Sequence, residues 1–187
     1  MRISITALII FLAVTAGNIY ISRAALREPG AHGFYRFFAW ECMLVLLLLN
    51  VRLWFHHPLG WNQVVSWLLL FLSLLFLGSG VERLIRKGKP GKSRTDTPHL
   101  YAFEATSELV TSGIYRYIRH PLYSSLLWLT WGIFFKQVSW AALFLALAAS
   151  GLLFATARAD ENECIRFFGP AYQEYMKKSK RFLPFVF

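Results

Sequence analysis

Three stretches of the chain, 3–22, 61–81 and 137–157, contain no Asp, Glu, Lys or Arg. Each has the ~20 helical residues needed to cross a hydrocarbon core of ~30 Å. In such a medium every backbone polar group must be bonded within the segment, so these runs can fold only as helices or as strands of a closed barrel. Their length and the lack of period-two alternation select helices. Two shorter apolar runs add to them. Residues 37–51 are interrupted by Glu41 and continue past Arg52, and 122–135 is only 14 residues long, short for a full span unless Tyr117 and Ile118 extend it or the site is partly buried. The expected fold is an all-α, multi-pass membrane bundle of about five transmembrane helices.

Composition agrees. Of the 187 residues 56% are hydrophobic and 16% charged, against roughly 25% charged in a soluble domain. This excludes a disordered chain or a disulfide scaffold, and a nucleic-acid reader is not expected. The two cysteines, Cys42 and Cys164, form no C-x-x-C, have no His at ligand spacing and read as packing residues, so no metal is expected.

The net charge of +10 reads mainly as an orientation signal. With the N-terminus outside, segments 23–36, 82–121 and 158–187 face the cytoplasm and hold 17 of the 20 Lys and Arg, leaving Arg2, Arg52 and Lys136 outside. A cleaved signal peptide is the competing reading of the first span, and its long apolar core favours a retained helix. The basic loop of Arg83, Arg86, Lys87, Lys89, Lys92 and Arg94 is explained by topology and by anionic headgroups, and its turn at 88–91 carries no phosphate-loop pattern.

Two segments carry residues that a plain loop does not require. In 109–123, Gly113 breaks the chain and Pro121 suits the first turn of a helix, which places Arg119 and His120 where free N–H groups and the helix dipole favour an anionic group. Tyr115, Tyr117 and Tyr123 add aromatic faces. The same residues also suit a simple cap with an interfacial aromatic belt. In 158–175, three of the chain's ten acids, Asp160, Glu161 and Glu163, leave the last span as a helix that ends at Gly169 and Pro170, with Phe168, Tyr172 and Tyr175 beyond. A solvated acidic turn followed by an amphipathic helix would read the same. Because the last two spans form a hairpin, both segments return to one face. Glu41, an acid inside a span, suggests function or a buried partner, and Arg36 is the candidate partner on its own helix. His56 and His57 read as loop residues.

Arg119, His120, Pro121 and Tyr123, followed after two apolar helices by Asp160 and Glu161, Phe168, Gly169, Tyr172, Tyr175, Leu183 and Pro184, resemble the isoprenylcysteine carboxyl methyltransferase and phospholipid methyltransferase superfamily. The resemblance covers 107–187. It implies an integral membrane enzyme that uses S-adenosylmethionine at the cytoplasmic face to methylate a lipophilic acceptor entering from the bilayer: an isoprenylcysteine-like carboxylate, a phospholipid amine or another small lipid. By position, the cofactor residues it implies are Ser107, Glu108, Leu109, Val110, Tyr115, His120, Pro121, Leu122, Tyr123, Asp160 and Glu161. Arg119, His120 and Arg158 are the implied catalytic candidates, with Arg181 a further cation for a carboxylate. His120 is preferred as a cofactor contact over a general base. Asp160 stands where Glu is usual. Thr156 occupies the place of a substrate-binding Arg in the eukaryotic carboxyl methyltransferases, and Arg158 lies about 200° round the helix from it.

The organisation expected is one membrane domain: helices in 1–82, a cytoplasmic loop and cofactor segment in 83–121, a hairpin in 122–157 and a cytoplasmic cofactor segment in 158–187. Two other readings stand beside the methyltransferase. One is a sterol-reductase-like, NADPH-dependent oxidoreductase, suggested by Asp160, Glu161 and Cys164 ahead of Pro184. The other is a non-catalytic membrane binding or assembly protein.

Overall fold

The computed structural model describes residues 5–89 and 104–184. They form six α-helices: α1 (Ile5–Leu26), α2 (His32–Asn50), α3 (Trp61–Lys87), α4 (Pro121–Phe134), α5 (Trp140–Phe168) and α6 (Pro170–Lys178). Short 3-10 turns follow α2 and precede α4. No β-strand occurs among the described residues; a single parallel bridge pairs Ile118 with Lys180. Lys92, Arg94 and residues 90 and 91 of the turn at 88–91 lie outside the described residues.

Five apolar helices stand where five runs were expected. Four are long and apolar enough to cross a membrane, those of α1, α2 with its 3-10 extension, α3 and α5. The fifth, α4, has 14 residues and spans about 21 Å at 1.5 Å per residue, too short to cross a ~30 Å core alone. Tyr117 and Ile118 do not lengthen it. Proline at the first helical position disfavours helical backbone in the residue before it, and His120 takes φ −122° and ψ 61° there. Instead α4 is embedded among its neighbours, with eight of its residues buried.

Packing follows from small side chains. Along α5, Ala142, Ala146, Ala149, Leu153 and Ala157 recur at three- and four-residue spacing and are fully buried, a narrow stripe that lets α2 approach closely. On α3, Ser66 donates from Oγ to the Gly132 carbonyl of α4 at 2.7 Å, and a Cβ at Gly132 would press on Leu70 at 2.9 Å. The outer faces of α1 and α3 carry exposed Leu, Ile, Phe and Trp, as lipid-facing surfaces do.

At one end of the bundle, the far end, polar side chains fasten helices to carbonyls. Asn50 donates to the Ile133 carbonyl at 2.8 Å, Asn62 to that of Phe135 at 3.2 Å, and Gln63 to those of Leu53 and Lys136 at 3.2 Å each. Lys136, at the α4–α5 turn, is 2% exposed. Its ammonium donates to Gln63 Oε1 at 3.0 Å and lies 3.4 Å from the Trp67 ring centroid and 5.0 Å from that of Trp54. Ser139 caps α5 by accepting from the Ala142 N–H. The other end gathers the starts of α2 and α4 and the ends of α3 and α5, and there the two chemistry-bearing segments meet.

Candidate active site

The segment ahead of α4 is shaped by two anchors. The Gly88 carbonyl at the end of α3 accepts from the N–H groups of Ser107 and Glu108, at 3.0 and 3.2 Å. Gly113 then turns the chain with φ +64°, a backbone conformation that favours glycine, and the Arg83 side chain packs against it. Beyond it the C-terminal tail runs alongside 117–120. Arg119 and His120 N–H groups donate to the carbonyls of Lys180 and Arg181, and Lys180 N–H to that of Tyr117. Ser124 Oγ adds a bond to the Phe182 carbonyl at 2.8 Å. Tyr175 of α6 donates to the Tyr115 carbonyl at 2.6 Å. The start of α4 is thus fixed by the tail, and no side chain caps it, so the amides of Leu122 and Tyr123 have no partner within their helix.

Adjacent acids on α5 take different roles because successive helical residues diverge by 100°. Glu161 is buried and accepts from Arg119 Nε at 3.0 Å and from Arg181 Nε and Nη2 at 3.0 and 2.7 Å, with Arg119 Nη2 at 2.9 Å. Arg119 spends its remaining donor, Nη1, on the carbonyls of Met176 and Ser179. Asp160 faces the interior space. His120 lies between them, 5% exposed, with Nδ1 3.4 Å from Asp160 Oδ2 and Nε2 3.4 Å from Glu161 Oε1, and its ring stacks on Tyr123. Burial lowers the imidazole pKa, but hydrogen bonding and charge from Asp160 and Glu161 outweigh it and raise the pKa above 6.5. Burial pushes the phenols of Tyr115, Tyr172 and Tyr175 upward, so they stay neutral.

A cavity of about 100 Å³ opens among these elements. Eight of the residues expected around a cofactor line it: Leu109, Val110, Tyr115, His120, Pro121, Leu122, Tyr123 and Asp160. Arg119 lines it too, although its donors are engaged as above. Ser107, Glu108 and Glu161 do not. Ser107 and Glu108 are exposed and bond to Lys89. Arg158 is exposed on α5 and absent from the wall, while Thr156 is buried and donates to the Leu152 carbonyl.

Sequence reasoning missed Glu104 and Thr106 on the wall, and read Cys164 as packing alone although it faces the cavity. No pattern marks Glu104. It lies ahead of the motifs and is held by Arg36, 68 positions earlier, through Nη1 at 2.8 and 2.9 Å. Glu41 is therefore not the partner of Arg36: five residues turn the helix about 140°. Glu41 instead accepts from Thr15 at 2.6 Å and Asn18 at 2.7 Å, joining α1 to α2. His32, Asp160 and Glu163 each place a ligand-capable atom within 4.8 Å of the others, a grouping no sequence spacing announced. Glu163 spends both its oxygens on His32, accepting from the N–H at 3.0 Å and lying 2.7 Å from Nδ1, the geometry of an ion pair.

The sequence profile of the phospholipid methyltransferase family matches residues 61–170, more than half of the chain. A protein-S-isoprenylcysteine O-methyltransferase from Xenopus laevis is 38% identical over 81 residues, which are 42% of this chain and 27% of that protein. The aligned stretch is thus about a quarter of the relative's length. No solved structure matches the chain. The profile runs from the start of α3 through α4 and α5 to the first residue of α6, taking in every cavity-lining residue named for this site except Tyr172 and Tyr175, and the chain belongs to the phospholipid methyltransferase family of membrane proteins.

Proposed function

We propose that the chain is an S-adenosylmethionine-dependent methyltransferase whose cavity takes the methyl donor and whose acceptor is a lipophilic molecule entering from the bilayer. The observation that carries this reading is the cavity's three-part lining. It combines carboxylates (Asp160, Glu104), the uncapped start of α4, and neutral aromatic faces including Tyr115, Tyr123 and Tyr172. A methyl donor of this type has a carboxylate, an ammonium, a sulfonium and a purine, and each finds a counterpart. The first-turn amides of α4 suit the carboxylate. Asp160 suits the ammonium or a ribose hydroxyl, and the aromatic faces suit the purine or the sulfonium. Bound there, the donor supplies an activated methyl group for in-line displacement.

The protein's own part is alignment and exclusion of water. Asp160 and the α4 amides hold the donor, Leu109, Val110 and Leu122 give the cavity an apolar side, and Arg119 and Arg181 keep Glu161 fixed beneath His120. His120, held between Asp160 and Glu161, orients Asp160 and serves as a ligand contact. The charge asymmetry of the chain supports a cytoplasmic placement of this end.

Titration calorimetry in detergent with S-adenosylmethionine, its demethylated product and NADPH tests the reading. Binding of the donor and product, but not NADPH, is expected. Binding of NADPH alone would move the chain to the reductase reading, and binding of none to the non-catalytic one. Methyl incorporation into prenylcysteine, phosphatidylethanolamine and total lipid extract then identifies the acceptor.

A further inference from the structure

α2 lies outside the residues that match the family and outside the motifs around the cavity, yet its first turn reaches the site twice. His32 and Arg36 stand at i and i+4, on one face of the helix. Both are buried. His32 holds Glu163 through backbone and ring together, and Glu163 sits one turn beyond Asp160 on α5. Arg36 holds both oxygens of Glu104 through Nη1, and Glu104 contributes to the cavity wall. A carboxylate on a half-desolvated wall has many rotamers and a cost for being charged; a guanidinium beneath it removes both liabilities. The clamp therefore does more than join helices. It presents a second acid, held in place, to the same space as Asp160.

We propose that Arg36 and His32 are positioning residues, and that Glu104, set by Arg36, is a ligand-contacting carboxylate that meets a cationic group of the bound methyl donor. This rests on the methyltransferase reading for the identity of the ligand, while the clamp itself does not. Without Arg36, Glu104 is no longer held on the wall; without His32, the α5 turn bearing Asp160 loses its brace. The donor has two cationic groups, a sulfonium and an ammonium, and its demethylated product keeps only the second.

The test uses the full chain in nanodiscs, with Arg36→Gln, Arg36→Lys, Glu104→Gln, the Arg36→Gln/Glu104→Gln double variant and His32→Gln. Affinity for donor and product is measured by calorimetry, and amide hydrogen exchange by mass spectrometry. Glu104→Gln and Arg36→Gln are each expected to weaken donor binding about tenfold, the double variant no more than either, and Arg36→Lys to fall between. Loss of donor but not product affinity assigns Glu104 to the sulfonium; equal loss assigns it to the ammonium. Either supports the proposal. Unchanged affinities in Glu104→Gln, or additive losses in the double variant, overturn it. If the wild type binds neither compound, the methyltransferase reading fails and exchange still decides the clamp. Amides in 104–110 are expected to exchange at least about tenfold faster in Arg36→Gln, and those in 157–164 in His32→Gln, with α4 unaffected. No change in those segments would overturn it.

Discussion

The two ends of the bundle solve the same problem differently. Each buries cations among apolar helices. At the far end, Lys136, Asn50, Asn62 and Gln63 give their donors to carbonyls, one amide oxygen and two indole rings, and the cluster closes on itself. At the site end the acceptors are carboxylates, and they divide. Glu161 and Glu163 are consumed by Arg119, Arg181 and His32, whereas Asp160 and Glu104 are braced from behind and turned toward a cavity. Neutral acceptors make a fastener. Charged acceptors, half of them left facing open space, make a binding site.

Removing the charge of Glu161 should have the largest effect. Glu161→Gln strands two arginines and is expected to cost about 3–5 kcal/mol of stability, seen as a large fall in the detergent thermal midpoint. A midpoint within a degree of wild type would show that the arginine bridge is incidental. Next, Asp160→Asn should weaken donor binding about 10- to 100-fold, the worth of a charged hydrogen bond, with a smaller stability change than Glu161→Gln. At the far end, Lys136→Met leaves Gln63 Oε1 without its donor and is expected to cost about 1–3 kcal/mol while donor affinity stays within twofold. A matching loss of affinity would mean the two ends are coupled.

The smallest effect is a pH dependence. The folded pKa of His120 is raised by Asp160 and Glu161, so the folded state binds the proton more tightly than the unfolded chain. That contribution is fully present below about 6.5 and is lost as pH rises through the higher folded value. The difference in thermal midpoint between wild type and His120→Gln should shrink across that interval. A difference that stays constant from pH 5 to 9 would place His120 outside the charge cluster.

What was legible in the sequence was whatever local chemistry determines. The long charge-free runs specified helices, Pro121 and Gly113 the entry to α4, and the paired motifs the walls that carry Tyr115, His120, Tyr123 and Asp160. The limits are equally physical. Asp160 and Glu161 read as a pair, and only the 100° step of the helix separates a cavity-facing acid from a buried one. Lys136 read as an outer loop charge, and only tertiary packing supplies its indoles. Glu104 and Arg36 are 68 residues apart and share no motif, so their pairing exists only once α2 has packed against α5. Arg158 reads as a candidate cation for a carboxylate, but it stands two helical positions from the buried Thr156, on the exposed side of α5.

The central claim is that the site-end cavity holds the methyl donor. Ultraviolet cross-linking of methyl-labelled S-adenosylmethionine to the purified chain, with peptide mapping, tests it most directly. The account predicts label on peptides covering 104–123 and 157–175, competed by the demethylated product and sharply reduced in Asp160→Asn. Label confined to far-end peptides around Trp54, Trp67 and Lys136, or unaffected by the product, would contradict it.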